Sequence, residues 1–171
     1  MEDNPFKSIV SADEDQFMNL PQSYGIGFAC RLSDAISFDL DVYKTHWQNY
    51  YITLSNGFKV NPFTGGKQSE SNTRPTCQVR MGGEYLYISD AGYSIPVRCG
   101  LFYDPEPTSD QPDDFLGISL GSGYNYDSIV FDLAYQYRWG NQVRQFKLLN
   151  QNISQNIKQH SIYMSVIYHF K

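Results

Sequence analysis

The sequence predicts an all-β fold, and within that class an antiparallel transmembrane β-barrel portion of about seven strands. Three observations predict it. Apolar residues alternate with small or polar ones in successive segments, the period of a strand with two unlike faces. Charged residues in those segments keep to one face. Short and long connections alternate between them.

The first segment sets Tyr24, Ile26, Phe28, Cys30 and Leu32 against Gly25, Gly27, Ala29 and Arg31. After the turn Ser33-Asp34-Ala35, the second sets Ile36, Phe38, Leu40 and Val42 against Ser37, Asp39, Asp41 and Tyr43. The third reads Val79, Met81, Gly83, Tyr85 and Tyr87 against Arg80, Gly82, Glu84 and Leu86. The fourth reads Val97, Cys99, Leu101 and Tyr103 against Arg98, Gly100 and Phe102. In the fifth, Leu116, Ile118 and Leu120 lead to Tyr124, with Gly117, Ser119, Gly121 and Gly123 between. The sixth alternates from Ile129 through Phe131, Leu133, Tyr135 and Tyr137 to Trp139, and the seventh from Ile162 through Met164, Val166 and Tyr168 to Phe170. Their lengths approach the ~9–11 residues that a tilted membrane strand requires, whereas strands of soluble sheets are commonly ~5–6.

Charge placement separates a membrane wall from a soluble one. Arg31, Asp39, Asp41, Arg80, Glu84, Arg98, Asp132 and Arg138 all share the alternate face, and the other face of the seven segments carries no charge. The charged face is otherwise Gly, Ser and Ala with almost no Lys, and its four Arg balance four acids. A water-facing exterior is richer in Lys and Glu; small residues with paired charges befit a barrel interior. On a lipid-facing side each Arg or Lys would cost roughly 2–4 kcal/mol at mid-membrane. These eight residues are therefore expected as a charge ladder lining a lumen. Because buried charges require partners, Arg98 or Arg80 is expected near Glu84, and Arg138 near Asp132.

Connections follow the same logic. Residues 33–35, 89–94 and 125–128 are short turns, while 49–76, 104–114 and 140–158 are long, polar and rich in Asn, Gln, Pro and Gly. Outer-membrane barrels set short periplasmic turns against long external loops. This places residues 1–21 as an external loop or linker and 22–171 as the barrel portion. An odd number of strands with an external start cannot close, and Phe6–Val10 is too short to be a spanning eighth, so the chain reads as the C-terminal portion of a larger barrel.

Composition excludes other classes. At 171 residues the chain is one domain or part of one, and its net charge of −5 leaves no basic footprint for nucleic acid. No stretch approaches the ~20 apolar residues of a spanning helix. Cys30, Cys77 and Cys99 form no CxxC pair and are expected as small apolar fillers, with no metal site and no cofactor. The acidic start Met-Glu-Asp-Asn is not an export signal, so a secreted barrel would have lost one or would begin further upstream. Asp113, Asp114 and His160 fall at the expected outer rim, but no GxSxG elbow accompanies them, and catalysis is not expected.

One set of motifs resembles a known family. Leu20-Pro21-Gln22-Ser23-Tyr24-Gly25-Ile26-Gly27, continuing through Leu32-Ser33-Asp34 and Asp39–Asp41 to Trp47, is similar to the C-terminal half of the long-chain fatty acid and aromatic hydrocarbon transporters of FadL/TodX type. Pro96-Val97-Arg98-Cys99-Gly100-Leu101 with Asp104-Pro105-Glu106-Pro107 resembles the family's Arg-x-Gly strand and Pro-containing loop. Gly117-Ile118-Ser119-Leu120-Gly121, then Phe131-Asp132-Leu133-Ala134-Tyr135, resembles its penultimate hairpin. The resemblance covers roughly residues 18–170. It implies half of a fourteen-stranded barrel with an N-terminal plug, energy-independent passage of hydrophobic small molecules across a Gram-negative outer membrane, insertion by the barrel-assembly machinery, and a monomer once complete. Lys171 after Phe170 departs from the family's aromatic end. The competing expectation is a small structural or adhesive barrel with functional external loops.

Site expectations follow from the two faces. Trp47, Tyr50, Tyr51, Tyr103, Tyr137 and Trp139 are expected at the outer membrane interface, and Tyr85, Tyr87, Tyr124, Tyr126, Tyr168 and Phe170 at the inner one, because amphipathic rings anchor a barrel at headgroup depth. Inward Tyr43, Phe102 and Tyr163 are candidates for a substrate path, with lumen filling as the plainer role. Inward Gly25, Gly27, Gly82, Gly100, Gly117, Gly121 and Gly123 leave space inside or let strands bend, and a bulge there would open the wall sideways.

Overall fold

Ten strands form in the computed structural model, which describes residues 15–108, 112–148 and 151–170. Phe6–Val10 and Lys171 lie outside the described residues. In chain order the strands are β1 (Phe17–Asn19), β2 (Ser23–Arg31), β3 (Ile36–Thr45), β4 (Tyr51–Thr53), β5 (Lys59–Val60), β6 (Thr76–Ile88), β7 (Tyr93–Tyr103), β8 (Leu116–Tyr126), β9 (Ile129–Leu148) and β10 (Gln151–Tyr168). They belong to two compact units, one taking in Met1–Ser23, Thr45–Thr76 and Pro107–Pro112, the other Tyr24–Lys44, Cys77–Glu106 and Asp113–Lys171.

The larger unit is a seven-stranded sheet in the order β10-β9-β8-β7-β6-β3-β2. Its strands are the seven read from alternation, and each neighbour pair is antiparallel. Tight turns set the hairpins. At Ser33 the hydroxyl accepts the amides of Ala35 and Ile36, at 3.2 and 3.1 Å. Gly92 takes φ +83°, open to glycine without a Cβ clash, and its amide donates to the Ser89 carbonyl. Pro96 lacks an N–H, and the β7–β8 register skips it between Ser94↔Asn125 and Val97↔Ser122. The Ser122 hydroxyl donates to its carbonyl instead, at 3.0 Å.

The sheet is open among the described residues: nothing pairs β2 with β10. With seven alternating strands the two edges run in the same direction, so they cannot join antiparallel. Among the described residues the sheet does not close on itself; it is an open antiparallel sheet.

Two connections expected as loops are structured. Residues 140–158 belong mostly to β9 and β10, paired from Gln151↔Leu148 downward. Register shifts between Ile153, Gln155 and Ile157 break the alternation, as do the positive φ angles of Gln142 and Arg144. A bulge moves side chains to the wrong face and erases a period-two signal.

Residues 49–76 fall within the smaller unit. There β4 pairs with β1, Phe17↔Thr53 to Asn19↔Tyr51, and with β5. Thus part of the segment read as loop or linker, residues 17–19, is a strand. Asn61, fully buried, organises the following turn. Its side-chain amide donates to Ser71 Oγ at 2.7 Å and Thr73 Oγ1 at 3.3 Å, and its Oδ1 accepts the Phe63 amide at 2.8 Å.

Candidate functional site

Cross-strand register carries each alternation onto its neighbour and so builds two faces on the large sheet. One row runs Val79↔Tyr103, Tyr103↔Leu116 and Leu116↔Trp139; another runs Cys99↔Leu120, Leu120↔Tyr135 and Tyr135↔Ile162. The face made of these rows is apolar and uncovered by the rest of the unit. Leu120 is 57% exposed and Met164 70%, while Phe115 and Val143 are the buried hydrophobic residues among those described. Cys30, Cys77 and Cys99 lie in this face as free thiols.

The opposite face holds the paired charges. Arg98 on β7 has Glu84 as its cross-strand neighbour on β6 and binds it through Nε at 2.7 Å. Its Nη1 reaches over β8 to Asp132 on β9, also at 2.7 Å. That crossing is possible because β8 shows glycines 121 and 123 on this face, opposite Ala134 and Asp132. Arg138 is not beside Asp132 as expected. It crosses β8 the other way, over its partner Gly117, to Glu106 at 2.9 Å and Asp104 at 3.6 Å beyond the end of β7. Its guanidinium also stands 3.7 Å over the Phe115 ring. Asp104 and Glu106 went unanticipated because they follow the end of the alternating run. Their signal lies in the extended hairpin, where Glu106 and Asp113 exchange amide hydrogen bonds and Asp104 N donates to Phe115 O.

The other charges are looser. Arg80 Nη2 is 3.9 Å from Asp104, and Arg31 is 3.9 Å from Asp34 at its own turn. Asp39 and Asp41 form no ion pair among the described residues; each carboxylate stands instead over a glycine of the next strand, Gly82 and Gly27. Arg80, Glu84, Arg98 and Asp132 border a recess of about 590 Å³ on this face.

The aromatics expected on a path do not converge. Tyr43 covers Gly25, whose added Cβ would come 2.5 Å from the ring, and Phe102 covers Gly117 in the same manner. Such aromatic–glycine pairs compensate for the missing side chain on the neighbouring strand. Tyr163 is exposed on β10 opposite Ala134. The three rings sit on three separate strands, which favours filling.

Rings also gather at both ends of the apolar face. At the turn end Tyr93 lies 6.4 Å from Tyr87 and 5.4 Å from Tyr124, with Tyr126 next in line, and Tyr168 meets Phe170 edge-on at 4.8 Å. At the loop end Tyr137 stacks on Trp139 at 5.3 Å, and the Tyr103 hydroxyl donates to Asp114. Trp47 departs from this grouping. It occupies a 3-10 turn of the smaller unit, edge-on to Phe63 and Tyr50, with its indole N–H on Thr76 Oγ1 at 2.8 Å. Its ring is committed to local packing rather than to a strand face.

The rim residues considered for catalysis are engaged separately. Asp113 accepts the Arg144 amide at 2.7 Å, Asp114 holds Tyr103, and His160 Nδ1 is 2.7 Å from the Tyr135 hydroxyl. No family model and no curated protein matches the chain, so the family resemblance rests on its motifs.

Proposed function

We propose that this chain is a membrane-spanning portion of a β-barrel in a Gram-negative outer membrane, and that the barrel passes hydrophobic small molecules, long-chain fatty acids or aromatic hydrocarbons. One observation carries the reading: seven strands in register set an uncovered apolar face against a face of small residues and paired charges. Water penalises such an apolar face, and hydrocarbon does not. The dimensions agree. From Tyr93 to Tyr103, β7 rises about 33 Å at ~3.3 Å per residue. Tilted by the ~35–45° usual in membrane barrels, this becomes about 25 Å, the height of their apolar band.

Open edges cannot face lipid, because their amides and carbonyls would lack partners. Further strands must complete the wall, and since β2 and β10 run the same way, an all-antiparallel closure needs an odd number of them. The half-barrel implied by the family resemblance meets that condition. In this reading the chain meets the bilayer and the insertion machinery, and forms a monomer once complete.

The test is uptake of a radiolabelled long-chain fatty acid and of a radiolabelled aromatic hydrocarbon by a Gram-negative host lacking its own hydrophobic uptake barrel. Expression of the intact coding sequence is expected to restore uptake of one of them, with the protein in the outer-membrane fraction. Outer-membrane location without uptake of either would favour the structural or adhesive reading. That alternative draws on β9 and β10, which continue past Trp139 as a long polar hairpin.

A further inference from the structure

We propose that the loop end of the apolar face, at Lys158, His160 and Trp139, seats the phosphate of a lipid headgroup. The inference rests on the membrane reading above and adds a ligand chemistry and a position to it.

The two ends of that face are built differently. At the turn end the rings of Tyr87, Tyr93, Tyr124 and Tyr126 form a continuous series without a cation among them. At the loop end, β10 sets Lys158 opposite Trp139 and His160 opposite Tyr137. The His160 ring lies 4.8 Å from Tyr137, and its Nδ1 is engaged by the Tyr135 hydroxyl at 2.7 Å. That contact orients the imidazole and leaves Nε2 for a second partner. Lys158 is exposed and makes no ion pair or ring contact among the described residues.

Anchoring alone does not call for this arrangement. An aromatic belt holds headgroup depth through its rings, as the tyrosine series at the other end does. A cation on a lipid-facing side is tolerated only near the interface, where it costs ~0–1 kcal/mol. An anionic headgroup converts that cost to a gain, since each Lys or Arg near an anionic surface is attracted to it. The ammonium offers three donors to a compact anion, the imidazole a further N–H, and the stacked Tyr137–Trp139 pair supports the sugar or glycerol beneath. The geometry thus favours a phosphate-bearing lipid at one leaflet, the leaflet on the long-loop side.

The experiment folds the complete barrel encoded by the intact coding sequence, with every tryptophan but Trp139 replaced by Phe, into phosphatidylcholine vesicles containing phosphatidic acid. Either lipid is brominated in turn, and quenching of Trp139 at equal mole fraction gives their relative occupancy. Preferential quenching by brominated phosphatidic acid is expected. Lys158→Gln should reduce the preference about five-fold, His160→Gln should reduce it by less, and Lys44→Gln, on another strand, should leave it unchanged. Equal quenching by both lipids, or a preference that survives in the double variant, overturns the proposal while leaving the membrane reading intact. Loss of the preference on adding inorganic phosphate overturns the lipid assignment in favour of a free-anion site. No quenching by either lipid overturns the membrane reading, and this inference with it.

Discussion

Arg98 on β7 and Asp132 on β9 meet at 2.7 Å although a whole strand separates them. The bridge exists because β8 presents glycine beneath the guanidinium, and Glu84 holds the same arginine from the other side at 2.7 Å. All three side chains remain about a third or more exposed, which screens the pair. A double-mutant cycle on Arg98→Gln and Asp132→Asn is therefore expected to give a coupling of roughly 0.5–1 kcal/mol, the upper part of the range for exposed pairs. Urea unfolding of the complete barrel in vesicles measures it, and additive effects would show that the bridge contributes nothing.

Glycines on β8 should differ in what they tolerate. A Cβ at Gly121 meets ordinary contacts, 3.5 Å to Leu133 O and 3.6 Å to the Ala134 Cβ. Gly121→Ala is expected to be neutral or to stabilise by about 0.4–1 kcal/mol through the unfolded state. At Gly123 the added carbon would sit 2.7 Å from the Phe131 carbonyl, which is backbone and cannot swing away. Gly123→Ala should cost about 1–3 kcal/mol. Equal effects at the two sites would contradict the packing described for this face.

The faces can be exchanged for one another by test. Leu133→Arg places a charge on the apolar side of β9, and Gln136→Arg places one on the polar side of the same strand. In a bilayer the first should cost about 2–4 kcal/mol and the second little. Were the sheet solvated on its apolar side, Leu133→Arg would be harmless. Folding yield of the complete barrel into vesicles, followed by the β signal in circular dichroism, separates these outcomes.

Cys99 is a native reporter of the same question. It is free and exposed, near the middle of the apolar face of β7. In vesicles it should react with an apolar maleimide and resist a charged, membrane-impermeant one until detergent is added. Rapid labelling by the charged reagent without detergent would place this face in water.

The sheet was legible because period two is a physical requirement of a two-faced strand, and seven segments kept it unbroken. Their tight turns were legible for the same reason, as interruptions at Ser33, Gly92 and Asp127. Pairing within the charge ladder was legible only between adjacent strands: Glu84 with Arg98 follows from register, whereas Arg138 with Glu106 needs a side chain to cross β8. The bulged region around Gln142 and Arg144 read as loop because its backbone departs from the pleat. The smaller unit was invisible to periodicity, since strands of two or three residues carry no period, and its organiser Asn61 looks like any loop asparagine until its hydrogen bonds to Ser71, Thr73 and Phe63 are drawn. Trp47 has the residue type of a belt but sits in a 3-10 turn, off the strands that would place it there.

A strand floored with glycine has little of its own to fix its alignment, because a slip of two residues would return every remaining side chain to its proper side. Over β8 the two arginines passing in opposite senses fix β7 against β9. Sliding β7 against β9 by one such step would lengthen both bridges by several ångströms at once, so neither could be exchanged for an equivalent contact. The guanidinium groups therefore act as an index mark for strand alignment, and loss of both should broaden the native state into several stacked registers before it melts.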